Sequence, residues 1–194
     1  MDVSDETRKS RSSRYFKSLL HHLLAIYYSR YKPTASSTNL PSAQILKIPV
    51  IATTQNAARL GATCPELGLD KDGEIKTVAH VDKTLFSMMY APSSSYHYLP
   101  HPRTPEIKSS LAALPVSGPL SCIIVGIESH ICVTQTTIDL LRAGHKVYVI
   151  ADGVSSCNRE EVPIALARLR HEGAVVTTSE SLLYECVGDA GSAE

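Results

Sequence analysis

Two hydrophobic periods divide this chain. From Gln44 onward, short β-branched runs at 48–54, 121–125 and 146–151 read as strands, with 174–178 as a last, shorter one. Between them, apolar residues fall at helical spacing. Val133, Thr136, Thr137, Leu140 and Leu141 predict a helix over 132–143, stopped by Gly144. Asn158 with Glu161 three residues later is a capping-box-like start for a helix running to His171, ended by Gly173. Residues 106–114 read as a short helix, 79–83 as an extended segment, and 84–90 as one helical turn or more. The stretches 56–69, with Gly61 and Pro65, and 92–105, with its several prolines, read as loops. Strands alternating with helices predict an α/β fold: a three-layer α/β/α arrangement around a doubly wound parallel sheet with right-handed crossovers. No internal repeat is evident.

Residues 1–42 have a different character. They open with charged and Ser-rich sequence. Leu19, Leu20, Leu23, Leu24 and Tyr27 then recur at helical spacing, and 33–41 is rich in Ser, Thr and Pro. The expectation is a largely disordered leader with one amphipathic helix, followed by one domain over 43–190. The alternative is that Leu23–Tyr28 pairs as a strand. The Ser- and Arg-rich start is somewhat like a mitochondrial presequence, but Asp2, Asp5 and Glu6 sit where such presequences avoid acid. No apolar run reaches the length of a membrane span, and 19–28 is interrupted by His21 and His22.

Composition narrows the class without changing the fold. The 194 residues suffice for one domain with a core. With 19 basic and 19 acidic residues, no charge surplus points to nucleic acid or an anionic membrane. Five scattered cysteines without a CxxC pair argue against a disulfide framework or a zinc site and for a reducing, cytoplasmic setting.

The candidate chemistry centres on Cys132. The run 121–125 ends at Gly126, a polar turn follows, and Cys132 opens the predicted helix. A helix N-terminus favours the thiolate, and the carboxyl ends of strands are where open α/β sheets bind ligands. Lys83 ends the extended segment, and strand alternation turns its neighbour Asp82 to the opposite face. Asp152, at the end of a strand, reads as a turn-capping carboxylate. His97 and His101 lie in the Pro-rich loop without a third ligand at useful spacing, so no metal site is expected. Cys64, Cys122, Cys157 and Cys186 read as structural, and Phe86, Met88 and Met89 as core or pocket wall.

Several stretches, in their order and spacing, resemble the isochorismatase-like cysteine hydrolases, closest to the isochorismatase domain-containing branch. They are 48–55, Cys64-Pro65-Glu66-Leu67, 83–88, 126–136, 151–156 and 178–182. The resemblance runs from about Ala43 to Ala190. It implies a triad of Asp, Lys and Cys, with Lys83 and Cys132 matching two members, and an oxyanion hole made by the backbone N–H groups of Glu128 and Cys132. It also implies a non-proline cis peptide between Ile127 and Glu128. The expected reaction is hydrolysis of a C–N bond in a small amide through a Cys132 thioester, in a pocket walled by Gln55, Phe86 and the loop 55–65. The family implies no cofactor and a homo-oligomer.

The departure lies upstream. The family's Asp ends the first strand, and no apolar run ending in Asp-x-Gln precedes Gln44. The first strand is therefore expected to be missing or replaced, with residues 1–42 a spliced or misassembled substitute for the first βα unit. If Leu23–Tyr28 stood in, Tyr27 would come near the Asp position, and a phenol is a poor base at neutral pH. The alternative to a hydrolase is a catalytically dead family member acting as a binding or oligomer subunit. Redox chemistry at Cys132 ranks behind both.

Overall fold

The computed structural model of the chain describes the backbone of residues 23–28 and residues 43, 45–69, 77–89, 105–114 and 118–189. In chain order the elements are β1 (Leu23–Tyr28), β2 (Val50–Gln55), α1 (Ala57–Leu60), β3 (Thr77–Lys83), α2 (Pro105–Ala112) and β4 (Ser121–Gly126). A π-helical turn (Ser129–Val133) then leads into α3 (Thr134–Arg142), followed by β5 (Lys146–Val154), α4 (Glu161–His171), β6 (Val175–Thr177) and α5 (Ser179–Val187). The strands form one sheet in the order β3-β2-β1-β4-β5-β6, every neighbouring pair parallel. The chain winds outward from β1 to β3 on one side and from β4 to β6 on the other. The reversal between β1 and β4 is the switch point of a doubly wound sheet.

The centre of that sheet corrects the sequence reading. Leu23–Tyr28 is a strand, not a helix, and it fills the place where a strand was expected to be missing. Ala25 to Tyr28 pair with Val50 to Thr53, and Leu23 to Ile26 with Ser121 to Ile124. The backbone groups of β2 and β4 that would otherwise stand at open edges have a ladder partner.

Alternation along the strands divides the core. On one face Val50, Ala52, Ile123, Val125, Tyr148 and Ile150 pack with Leu182 and Cys186 of α5. On the other, Ile51, Cys122, Ile124, Val147 and Val149 pack with Ile107 of α2, Leu140 of α3, and Leu166 and Leu169 of α4. Strands buried on both faces read as unbroken apolar runs, which is why β2, β4 and β5 were legible in the sequence.

Three local departures have physical causes. Residues 84–89 form bends rather than a helical turn, because the Leu85 and Phe86 carbonyls turn toward Lys83. The helix expected from Asn158 begins at Glu161. Asn158 Oδ1 accepts the Glu160 N–H instead of capping further in. The last nine-residue helix, α5, was not read from periodicity; Thr178 Oγ1 caps it by accepting from Ser181 N.

Candidate active site

The site is assembled from the carboxyl ends of β2 and β3 and from the turn after β4. Burial alternates along β3, leaving Asp82 exposed and Lys83 buried at the strand's end. Asp82 faces away from Lys83: its Oδ1 accepts from Thr54 Oγ1 at 2.7 Å and from the Ala57 N–H at 2.9 Å, fixing the start of α1. Lys83 Nζ donates to Gln55 Oε1 at 2.6 Å, to the Leu85 carbonyl at 2.8 Å and to the Phe86 carbonyl at 2.9 Å. All three are acceptors suited to the N–H bonds of an ammonium. Burial nevertheless lowers the Lys83 pKa to about 8, against the charge of Cys132 and, more weakly, of Asp82, both of which raise it.

Gln55 and Phe86 were expected as pocket wall. Gln55 is buried at the end of β2, donating from Nε2 to the Thr84 carbonyl at 2.5 Å while its Oε1 holds Lys83. Phe86 is half exposed, and its carbonyl is the part that touches Lys83.

After β4 the chain turns at Gly126, whose φ of 126° lies outside the ordinary range of an L side chain. The Ile127–Glu128 peptide is cis. The π-helical turn follows, closed by Val133 N–H on the Glu128 carbonyl at 3.2 Å, a five-residue span. Such widened turns are frequent at functional sites. Cys132 is the fourth residue of this turn and is buried, rather than opening a regular α-helix.

The turn is fastened to the segment after β5. Ser129 N–H donates to the Ser155 carbonyl at 2.9 Å and Ser155 N–H to the Gly126 carbonyl at 3.1 Å. The Cys157 N–H donates to Glu128 Oε2 at 2.7 Å, and Ser156 Oγ lies 3.1 Å from His130 Nδ1.

The electrostatics set Cys132 apart from the other buried cysteines. Burial pushes Cys122 up to about 12, and burial with the neighbouring Glu185 pushes Cys186 to about 11. At Cys132 burial also raises the thiol pKa, but three influences oppose it: the Lys83 charge and the backbone N–H groups of Glu128 and of Cys132 itself. The Glu128 carboxylate adds to the upward push. So the Lys83 charge and the backbone N–H groups of Glu128 and Cys132 all act to lower the Cys132 thiol. Burial still prevails, and the net shift is upward. The arrangement brings a buried thiol, a buried lysine ammonium and two backbone N–H groups to one place.

Asp152 is engaged elsewhere. Its carboxylate accepts the Ser179 N–H at 2.8 Å and the Ser179 hydroxyl, holding the start of α5. Among the described residues no group of three His, Cys, Asp or Glu side chains is placed to hold a metal ion. His97 and His101 lie outside the described residues. The register pairs Tyr27 with Ala52 and Tyr28 with Thr53. Ala52 packs on the α5 side of the sheet, so by strand alternation backbone position 28, rather than 27, is in line with Thr53 and Gln55.

Comparison with known proteins agrees with this geometry. Residues 34–181 match the family model described as the isochorismatase domain. The chain is 34% identical over 160 residues to the secreted isochorismatase effector Isc1 of Phytophthora sojae, covering 82% of this chain and 68% of that protein. It is 38% identical to isochorismatase domain-containing protein 2 of Xenopus laevis, where the match covers 78% of this chain but 63% of the relative's length. Among solved structures, the MAR1 ribonuclease of Caenorhabditis elegans aligns with a TM-score of 0.69 at 30% identity, over 89% of this chain and 85% of that one.

Proposed function

The chain belongs to the isochorismatase family, and from that premise we propose that it hydrolyses the C–N bond of a small amide through a thioester on Cys132, slowly at neutral pH. The observation that carries the reading is the convergence of the Lys83 charge and the Glu128 and Cys132 N–H groups on one buried sulfur. Its place at the carboxyl ends of parallel strands is where such sheets take ligands.

In this reading the Cys132–Lys83 pair loses one proton to solvent and becomes a thiolate beside an ammonium. The thiolate attacks the amide carbonyl, and the oxyanion is received by the Glu128 and Cys132 N–H groups. Donors of this kind contribute roughly 2.7–4 kcal/mol each. The amine leaves with a proton from solvent, and water then attacks the thioester to release the acid and restore the thiol. No carboxylate lies on β1 to take the thiol proton. Burial holds the Cys132 thiol pKa above its ordinary value, so the thiolate is the minority form at neutral pH. Slow turnover follows.

That same burial favours a second reading, a catalytically silent member that serves as a binding or oligomer subunit. The test is product release from a panel of small primary amides at pH 7 and pH 9. Release that rises with pH and disappears in Cys132→Ser supports the hydrolase. No release at either pH, with the chain co-purifying with an active relative, favours the silent subunit.

We keep the cytoplasm as its compartment and self-association as its state. No disulfide joins the five cysteines, and the two edge strands carry exposed Val78 and Val175. Light scattering on the purified chain tests the second point. No helix among the described residues is long and apolar enough to cross a membrane.

A further inference from the structure

Lys83 and Cys132 sit on separate parts of the chain, and something must keep them in register. The Lys83 ammonium is held by the Leu85 and Phe86 carbonyls, so its position depends on residues 84–89. Those residues are bends, braced within the loop by the Ser87 hydroxyl, which donates to the Met89 carbonyl at 3.1 Å and accepts the Met89 N–H at 3.0 Å. Two contacts tie them to α3, the helix that continues directly from Cys132. The Met88 N–H donates to Thr136 Oγ1 at 3.0 Å in a buried hydrogen bond. One turn further on, the Ser87 hydroxyl stands near enough to the buried Asp139 carboxylate to lower its pKa against the burial that raises it. Thr136 is 2% exposed and follows Cys132 by four residues, one helical turn. The loop that presents the cation is thus fastened to the helix that presents the sulfur.

We propose that Thr136 is the positioning residue that couples the Lys83 loop to the Cys132 helix, with Asp139 as a second anchor on the same face. This rests on the reading of Lys83 and Cys132 as a working pair. The Thr136 hydroxyl holds the Met88 N–H, and it acts on the pair through the Met88 backbone. The hydrogen bond requires a hydroxyl at this position and no particular size, so serine should serve and valine, nearly isosteric with threonine, should not.

The test is the pH profile of Cys132 alkylation by iodoacetamide, read on the Cys132 peptide by mass spectrometry so that exposed Cys157 does not interfere. The chain, Thr136→Val, Thr136→Ser and Lys83→Ala are compared, with Asp139→Asn as a second way to loosen the loop. Lys83→Ala is expected to move the profile to higher pH, because the Lys83 charge is the largest influence lowering the thiol. Thr136→Val is expected to move it the same way, with at least a threefold loss of rate at pH 8, and Thr136→Ser to restore it. An unchanged or lowered profile in Thr136→Val and in Asp139→Asn, with Lys83→Ala still shifted, overturns the coupling and leaves the proposed pair standing. A profile that Lys83→Ala does not move removes the pair, and the coupling with it.

Discussion

Lys83 Nζ and Gln55 Oε1 lie 2.6 Å apart, joining the ends of two neighbouring parallel strands across 28 residues of sequence. The bond is buried, and Gln55 is itself held by the Thr84 carbonyl, so it fixes where the only described cation near Cys132 can stand. Gln55→Leu removes a hydrogen-bond acceptor from a buried ammonium. Hydrogen bonds to charged groups are worth about 1.5–3 kcal/mol. The variant is expected to lower the Lys83 pKa below about 8 and to slow Cys132 acylation by ~10-fold or more. The rate of acyl transfer from an activated ester measures it.

The two shifted groups give the pH dependence its sign. Cys132 ionises above the ordinary thiol value and Lys83 loses its proton near 8. Reaction through the thiolate–ammonium form is therefore a minority at every pH and greatest on the alkaline side, between the two macroscopic ionisations. Turnover is expected to rise from pH 7 to above pH 8 and then fall. A flat profile, or an optimum near pH 6, would contradict the assignment.

The same Lys83 shift has a consequence for stability. A lysine whose folded pKa is depressed favours the folded state least when both states are charged, below pH 8, and most above the unfolded value of 10.5. The stability of the parent chain relative to Lys83→Met is therefore expected to rise as pH climbs from 8 to 10.5, whatever the difference at pH 7 after the Gln55, Leu85 and Phe86 acceptors lose their donor. The full difference is on the order of 3 kcal/mol. Urea unfolding at pH 7 and pH 10 checks the direction.

Gly153 lies where β5 passes close to β4. A Cβ there would stand 2.9 Å from Val125 Cγ1 and 3.0 Å from Ile150 Cγ2. Both neighbours are core side chains that cannot swing into solvent. Gly153→Ala is expected to cost about 1–3 kcal/mol, seen as a lower urea midpoint with an unchanged slope.

A carboxylate returned to the central strand tests why turnover should be slow. Tyr28 is the register partner of Thr53, one residue pair beyond Tyr27 and Ala52. Tyr28→Asp is expected to raise amide turnover at pH 7 by ~100-fold, the lower end of what a positioned general base contributes. The same change at Tyr27 is expected to have little effect. Steady-state rates of the two variants decide it.

Much of this was legible in the residues because buried parallel strands write themselves as apolar runs. β2, β4 and β5 were read that way, as were the turn carrying Cys132 and the separation of Asp82 from Lys83. β1 was not. The run Leu19 to Tyr28 satisfies both a helical and a strand period, and only the two flanking strands, each needing a ladder partner, decide for the strand. Residues 84–90 look helical by composition, but a buried ammonium competes for their carbonyls, and no local pattern announces that. The role of Gln55 was hidden for the same reason: its partner is 28 residues away. Asp152 reads as a carboxylate that caps its own turn, but its carboxylate holds Ser179 at the start of α5, 27 residues away, and no local pattern announces that either.

The most direct test of the account is intact-protein and peptide mass spectrometry after mixing the chain with an activated acyl ester at pH 8.5. The account predicts one acyl group, carried on the Cys132 peptide, labile to water and formed at least tenfold more slowly in Lys83→Ala. Acylation scattered over exposed Cys157 and lysines, with Cys132 unmodified and Lys83→Ala unchanged, would contradict it.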